Sequence, residues 1–178
     1  MLILASQSPR RKELLKKIVA DFLIVPADVD EHLNVPIKEL PKAAALLKAT
    51  TIKKIYPNDE VLGCDTVVII DDKLLGKPKD KKEAFEMLKE LSGREHLVIS
   101  GYAYLKGDKL ISRSVTTVVH FNELSDETIL KYIETGSPMD KAGAYGIQDK
   151  EFNLVKKIEG SLDNVIGLPT EDIKKYCF

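Results

Sequence analysis

Asp65 is out of pattern in this chain. It stands inside Val61-Leu62-Gly63-Cys64-Asp65-Thr66-Val67-Val68-Ile69-Ile70, a run that is otherwise apolar and β-branched. A buried carboxylate without a partner is costly, so it calls for a counter-charge, a proton or a metal ion. Gly63, just before it, lets another group come close. A structural aspartate at a strand bend fits the same residues.

Three further constellations carry polar chemistry. Ser6-Gln7-Ser8-Pro9-Arg10-Arg11 runs from a strand end into a helix start. Helix starts expose unpaired N–H groups that suit phosphate, and guanidinium groups grip phosphate oxygens in a fork. An N-cap serine with two solvated arginines is the plainer reading of the same spacing. Gly76-Lys77-Pro78-Lys79-Asp80 offers Lys77 as a point charge for phosphate, or simply as a solvated loop lysine. Asp140-Lys141-Ala142-Gly143-Ala144-Tyr145-Gly146-Ile147-Gln148 is rich in small residues, as where backbone approaches a ligand or turns tightly. Gln148 pairs a donor with an acceptor and could read a base edge. The acidic pair Asp30-Glu31 could hold a hard cation together with Asp65, since Mg²⁺ takes carboxylates plus phosphate oxygens. No Walker loop, dinucleotide fingerprint, zinc spacing or GxSxG elbow is present, and His32, His96 and His120 are scattered.

Local patterns predict the elements that must position these groups. Residues 2–5 form a short apolar strand. Ser8 caps a helix with Pro9 in its first turn and Leu14, Leu15 and Ile18 on one face, and Phe22 to Val25 is a second strand. That succession predicts a right-handed βαβ unit with a parallel pair. A helix follows over 39–55, then the Val61–Ile70 strand, interrupted at Gly63–Thr66. Asp80–Leu91 is a helix capped by Asp80. His96–Leu105 and Leu110–Phe121 pair across Lys106-Gly107-Asp108. Ser125–Thr135 is a helix closed by Gly136, Phe152–Ile158 a strand, and Thr170–Tyr176 a last short helix. The class is α/β, with a mixed twisted sheet and helices on its faces.

Composition narrows the partners. With 27 basic against 28 acidic residues the net charge is −1, which excludes a general nucleic-acid binder. Only 6% of residues are aromatic and none is Trp, too few for a single-strand stacking platform. No apolar run approaches the roughly 20 residues of a membrane span, and Met1–Ser6 is too short for a secretory signal. Cys64 and Cys177 are therefore expected as reduced thiols in a cytoplasmic protein.

Taken in order, these segments resemble one family. SQSPRRKELL (residues 6–15), the acidic pair at 30–31, ALLKA (45–49), GCDTVV (63–68), GKPKD (76–80), LSGREHLVISGY (91–102), DKAGAYGIQ (140–148) and GSLDNVIGLP (160–169) are similar to the Maf family of nucleotide pyrophosphatases. The resemblance runs over residues 3–169. It implies one domain over residues 1–178 with an inosine-triphosphate-pyrophosphatase-like fold: a long twisted mixed sheet, flanking helices, and two lobes around a cleft. It also implies a cytoplasmic housecleaning hydrolase that cleaves a nucleoside triphosphate between its α- and β-phosphates, with a divalent cation, Mg²⁺ or Mn²⁺. Neither nucleic acid nor membrane is an expected partner, and a homodimer stays open.

The resemblance assigns roles residue by residue. Asp65 corresponds to the catalytic proton acceptor, and Glu31 to the acidic residue of metal binding and catalysis, with Asp65 the second metal ligand. Ser8, Arg10 and Lys48 match positions lining the site. Arg11, Thr66, Lys77 and Gln148 match the branch acting on dTTP and UTP. Two alternatives remain open: the sister specificity for 7-methyl-GTP, and a non-catalytic nucleotide-binding regulator of septum formation. Ser100 stands where the family usually has Thr, and Leu162-Asp163 replaces an aromatic-polar pair.

Overall fold

The computed structural model describes residues 1–178. Its strands are β1 (Leu2–Leu4), β2 (Leu23–Ile24), β3 (Glu60–Ile70), β4 (Lys73–Leu75), β5 (Glu95–Lys106), β6 (Lys109–Phe121) and β7 (Val155–Glu159). Its helices are α1 (Pro9–Leu15), α2 (Leu40–Ile55), α3 (Lys81–Leu91), α4 (Asp126–Glu134), α5 (Leu162–Ile166) and α6 (Thr170–Cys177). The strands form one sheet in the order β2-β1-β3-β5-β6-β7, with β4 paired to β3. β1 is parallel to both β2 and β3, whereas β3–β4 and β6–β7 are antiparallel. The expected mixed α/β architecture is therefore present, including the parallel β1–α1–β2 unit. No helix is long and apolar enough to cross a membrane.

The chain folds into two compact units: Met1–Thr66 with Ile99–Val115 and Asp163–Phe178, and Val67–Val98 with Thr116–Leu162. In the first unit, side chains alternate across the strands. Leu2, Leu4, Leu62 and Cys64 pack with Leu14 and Leu15 of α1 and Ile173 of α6 on one face. Ile3, Ala5 and Val61 pack with Ala49 and Ile52 of α2 on the other. α2 lies against the sheet because two strand positions lack a side chain. A Cβ on Gly63 would stand 2.4 Å from the Ala45 carbonyl oxygen, and one on Gly101 2.2 Å from the Lys42 nitrogen. The group that Gly63 admits is thus helix backbone.

In the second unit α3 packs on α4, burying Ala84, Leu88, Leu91, Ile129 and Ile133. Both helices begin as their sequences predict. Asp80 accepts from the Glu83 amide at 2.8 Å and Ser125 from the Thr128 amide at 3.1 Å, satisfying first-turn donors.

Several expectations shift. β3 runs unbroken through Gly63–Thr66: its ladder with β1 ends at Leu62, where Ala5 donates to the Leu62 carbonyl at 2.9 Å, but β3 also pairs with β5 on its other side. Ile18 lies in the turn after α1. β7 starts at Val155, since residues 150–152 make a 3₁₀ turn and Asn153 is left-handed, with φ of 50°. β4 and α5 were not expected. Asp71 and Asp72, at φ of 50° and 57°, fold β4 back onto β3 in a tight two-residue turn. Both cysteines are free and buried.

Candidate active site

Period-two alternation sends Asp65 and Thr66 to opposite faces of β3. Asp65 shares the face of Val61 and Gly63, under α2. Lys48 projects from the third turn of α2 onto it, with Nζ 3.3 Å from Asp65 Oδ1 and 3.5 Å from the Cys64 carbonyl oxygen. The same ammonium sits 2.8 Å from Glu31 Oε1. Both partners on β3 and α2 are well shielded: the Asp65 side chain is 14% exposed and that of Lys48 10%. Burial lifts the Asp65 carboxyl above its ordinary range. Lys48 and then Arg11 pull the other way, Glu31 adds to the rise, and burial wins.

Only one of the two acidic residues before α2 joins this cluster. Asp30 turns outward to His32, accepting from its backbone amide at 2.9 Å and meeting its Nδ1 at 2.9 Å. Glu31 reaches Lys48. Glu31 and Asp65 therefore converge on one cation, and no third His, Cys, Asp or Glu groups with them. A pair of hard oxygen donors already focused on a positive charge fits Mg²⁺ or Mn²⁺, which take one or two carboxylates and complete their shell with phosphate oxygens and water.

Thr66 points to the α1 face and meets Arg11. The Arg11 guanidinium donates to the Gly167 carbonyl at 2.8 Å, to Thr66 Oγ1 at 3.1 Å and to Ser6 Oγ at 3.4 Å. Thr66 Oγ1 lies 2.7 Å from Ser100 Oγ, which donates to the Asn164 carbonyl at 3.3 Å. Ser100 thus keeps the hydroxyl link, and the segment that sequence marked only as loop-like is tied to β3 through Gly167, whose carbonyl accepts from Thr66 Oγ1 at 3.3 Å, and to β5 through Asn164. Ser8 caps α1, its Oγ accepting from the Arg11 amide at 3.3 Å. A hydroxyl that accepts there still has its own hydrogen to donate. Arg10 is half-buried in the first turn of α1.

Lys77 and Gln148 belong to the second unit, and both are exposed. Their segments are joined by the Gly143 amide, which donates to the Gly76 carbonyl at 3.1 Å. Gly143 takes φ of 72° against Val68, whose Cγ1 would stand 3.0 Å from an added Cβ. Gln148 occupies the third position of a four-residue turn closed by the Asp149 amide on the Gly146 carbonyl at 3.0 Å. The first unit thus brings Glu31, Lys48 and Asp65 into one cluster and Arg11 and Thr66 into another, and the second unit carries Lys77 and Gln148.

Comparison with known proteins identifies the family. The model of the family described as Maf-like protein matches residues 1–177. A Thermococcus gammatolerans protein named dTTP/UTP pyrophosphatase is 49% identical, the match covering 98% of this chain and 94% of that protein. Proteins of the same name from Clostridium acetobutylicum and Clostridium botulinum (strain Loch Maree) are 48% and 52% identical, covering 98% and 94% of this chain and 94% and 91% of theirs. Among solved structures, the Staphylococcus aureus Ham1 protein is similar in fold, with a TM-score of 0.51 at 15% identity over 68% of this chain and 72% of that one.

Proposed function

The chain belongs to the Maf-like protein family, and we propose that it hydrolyses dTTP and UTP between the α- and β-phosphates, releasing the nucleoside monophosphate and pyrophosphate. The observation that carries this reading is the Glu31–Lys48–Asp65 cluster. A carboxylate inside a strand, lifted by burial and held beside an ammonium, is placed to accept a proton from a bound water.

Asp65 orients the attacking water and takes its proton as the water oxygen meets the α-phosphorus. Lys48, Arg10 and Lys77 neutralise the phosphate chain, and Ser8 donates a hydrogen bond to it. Such positioning and charge compensation supply most of the catalysis in phosphoryl and nucleotidyl transfer. Glu31 and Asp65 would hold the divalent cation, Mg²⁺ or Mn²⁺, which supplies charge neutralisation at phosphate oxygens and a more acidic water. Gln148 reads the pyrimidine edge, whose carbonyl and N–H match its amide. Arg11 sets the Thr66 hydroxyl and the Gly167 loop, so its part in substrate choice is exerted through those groups. Residues 1–178 act as one functional domain, and two free thiols agree with a cytoplasmic enzyme.

The test is a substrate panel of dTTP, UTP, CTP, dGTP and 7-methyl-GTP, each with and without Mg²⁺, scored for pyrophosphate and orthophosphate. Metal-dependent pyrophosphate release, highest with dTTP and UTP, is expected. Orthophosphate as the direct product would rule out α–β cleavage. A preference for 7-methyl-GTP would move the protein to the sister specificity, and binding without product would leave a nucleotide sensor.

A further inference from the structure

Gln148 sits on a turn of backbone that sequence alone leaves free, yet one buried hydroxyl touches both ends of it. The turn is Gly146-Ile147-Gln148-Asp149, closed by the Asp149 amide on the Gly146 carbonyl. The Gly146 amide donates to Tyr132 Oη at 2.9 Å, and the Tyr132 hydroxyl donates to Asp149 Oδ2 at 2.5 Å. Tyr132 comes from α4, is fully buried, and its ring packs on Phe152 with centroids 4.9 Å apart. The clamp is thus anchored in the core of the second unit while Gln148 stays exposed.

The ends are held from other sides as well. Ser137 donates to the same Asp149 Oδ2 at 2.7 Å, and Lys141 donates to Ser137 Oγ at 3.0 Å and to its carbonyl at 2.7 Å. The Lys141 stem covers Gly146 so closely that an added Cβ would stand 2.8 Å from its Cε. The residue before the turn, Tyr145, is buried, with its hydroxyl 2.6 Å from His96 Nε2. A four-residue turn on the surface normally samples several conformations, and ordering it on binding costs entropy. Holding both ends in advance removes that cost from ligand binding.

We propose that the Tyr132 hydroxyl is a positioning group for substrate selection: by clamping Gly146 and Asp149 it presents Gln148 to the pyrimidine base in one fixed place. The inference rests on Gln148 being the base reader. Its effect falls on discrimination between bases rather than on the chemical step, which belongs to Asp65.

The experiment compares kcat and KM for dTTP and CTP in the parent, Gln148→Ala, Tyr132→Phe and the double variant. Amide hydrogen exchange is followed at Gly146. If Gln148→Ala leaves the dTTP-to-CTP ratio of kcat/KM unchanged, Gln148 is not the reader, and the inference falls with that reading. If that ratio drops, Tyr132→Phe is expected to lower it by about three- to tenfold, mainly through the KM for dTTP, with faster exchange at Gly146. In the Gln148→Ala background the same substitution should add nothing, because it acts through Gln148. A parent-like ratio in Tyr132→Phe, or additive losses in the double variant, would overturn the proposal even though Gln148 reads the base. Should Tyr132→Phe fail to fold, Asp149→Ala cuts the other arm of the clamp at a half-buried residue and is judged by the same ratios.

Discussion

Replacing Asp65 with asparagine should cost activity and leave stability intact or improved. The activity side follows from its role: removing a general base lowers turnover by about 100- to 10,000-fold, or about 3 to 5 kcal/mol of barrier. The stability side is decided by what surrounds it. Breaking a buried ion pair by deleting one partner usually costs about 3–5 kcal/mol, because the other charge is left alone. Here Lys48 is not left alone, since Glu31 Oε1 stays 2.8 Å from its ammonium. Asp65 itself is a liability in the folded state. Its pKa is raised by burial, so its contribution to stability is complete below the unfolded-state value and is lost as pH rises through the folded one. At neutral pH the parent bears the cost of that buried charge, and asparagine of equal size removes it. The assay pairs pyrophosphate release with thermal melts of the metal-free proteins, both run across pH. The variant should melt at or above the parent near neutral pH, with the difference shrinking as pH falls through the raised pKa of Asp65 and gone below about 4, the value of an unfolded aspartate. Near-normal turnover in a folded Asp65→Asn protein refutes the catalytic assignment. A loss of about 3 kcal/mol, which lowers the melting temperature of a chain this size by roughly 6 to 12 °C, refutes the electrostatic reasoning instead.

Three further outcomes are expected. Gly63→Ala drives a methyl into the backbone of α2, 2.4 Å from the Ala45 carbonyl oxygen; urea unfolding should show a loss of about 1–3 kcal/mol or more, with turnover falling because α2 carries Lys48. Arg11→Lys keeps the charge but cannot reach Gly167, Thr66 and Ser6 together; it should lose about 1–3 kcal/mol of stability and shift the ratio of dTTP to 7-methyl-GTP activity, whereas Arg10→Ala should raise KM evenly across nucleotides. Equal losses across substrates in Arg11→Lys would argue against its selective role. His96 is 2% exposed and burial pulls its pKa from 6.5 down to about 4. Its stabilising contribution is present above 6.5 and is lost as pH falls toward about 4, a swing on the order of 3 kcal/mol that chemical denaturation should record in the parent and not in a folded His96→Gln variant.

The legible part of this protein is the part governed by neighbours a few residues apart. Ser8, Asp80 and Ser125 cap their helices because a short side chain reaches an amide three residues on. The β-branched run of β3 is a strand, and the aspartate within it stands out of that apolar pattern as a group in need of a partner. The ordered motifs carried the family. Three-residue β4 and five-residue α5 leave no mark in the sequence because neither is long enough to show a period.

Tertiary structure decided who meets whom. Seventeen residues separate Lys48 from Asp65, and the pairing exists because Gly63 and Gly101 let α2 lie directly on the sheet. Arg11, which sequence offered to a phosphate, turns its guanidinium onto a carbonyl 156 residues away. The acidic pair divides, Asp30 outward to His32 and Glu31 inward to Lys48. Sequence determined which groups were available and which face of a strand or helix each would take, because those follow from backbone periodicity. Their partners depend on how closely separate elements pack, and burial and charge act across that distance without regard to position in the chain.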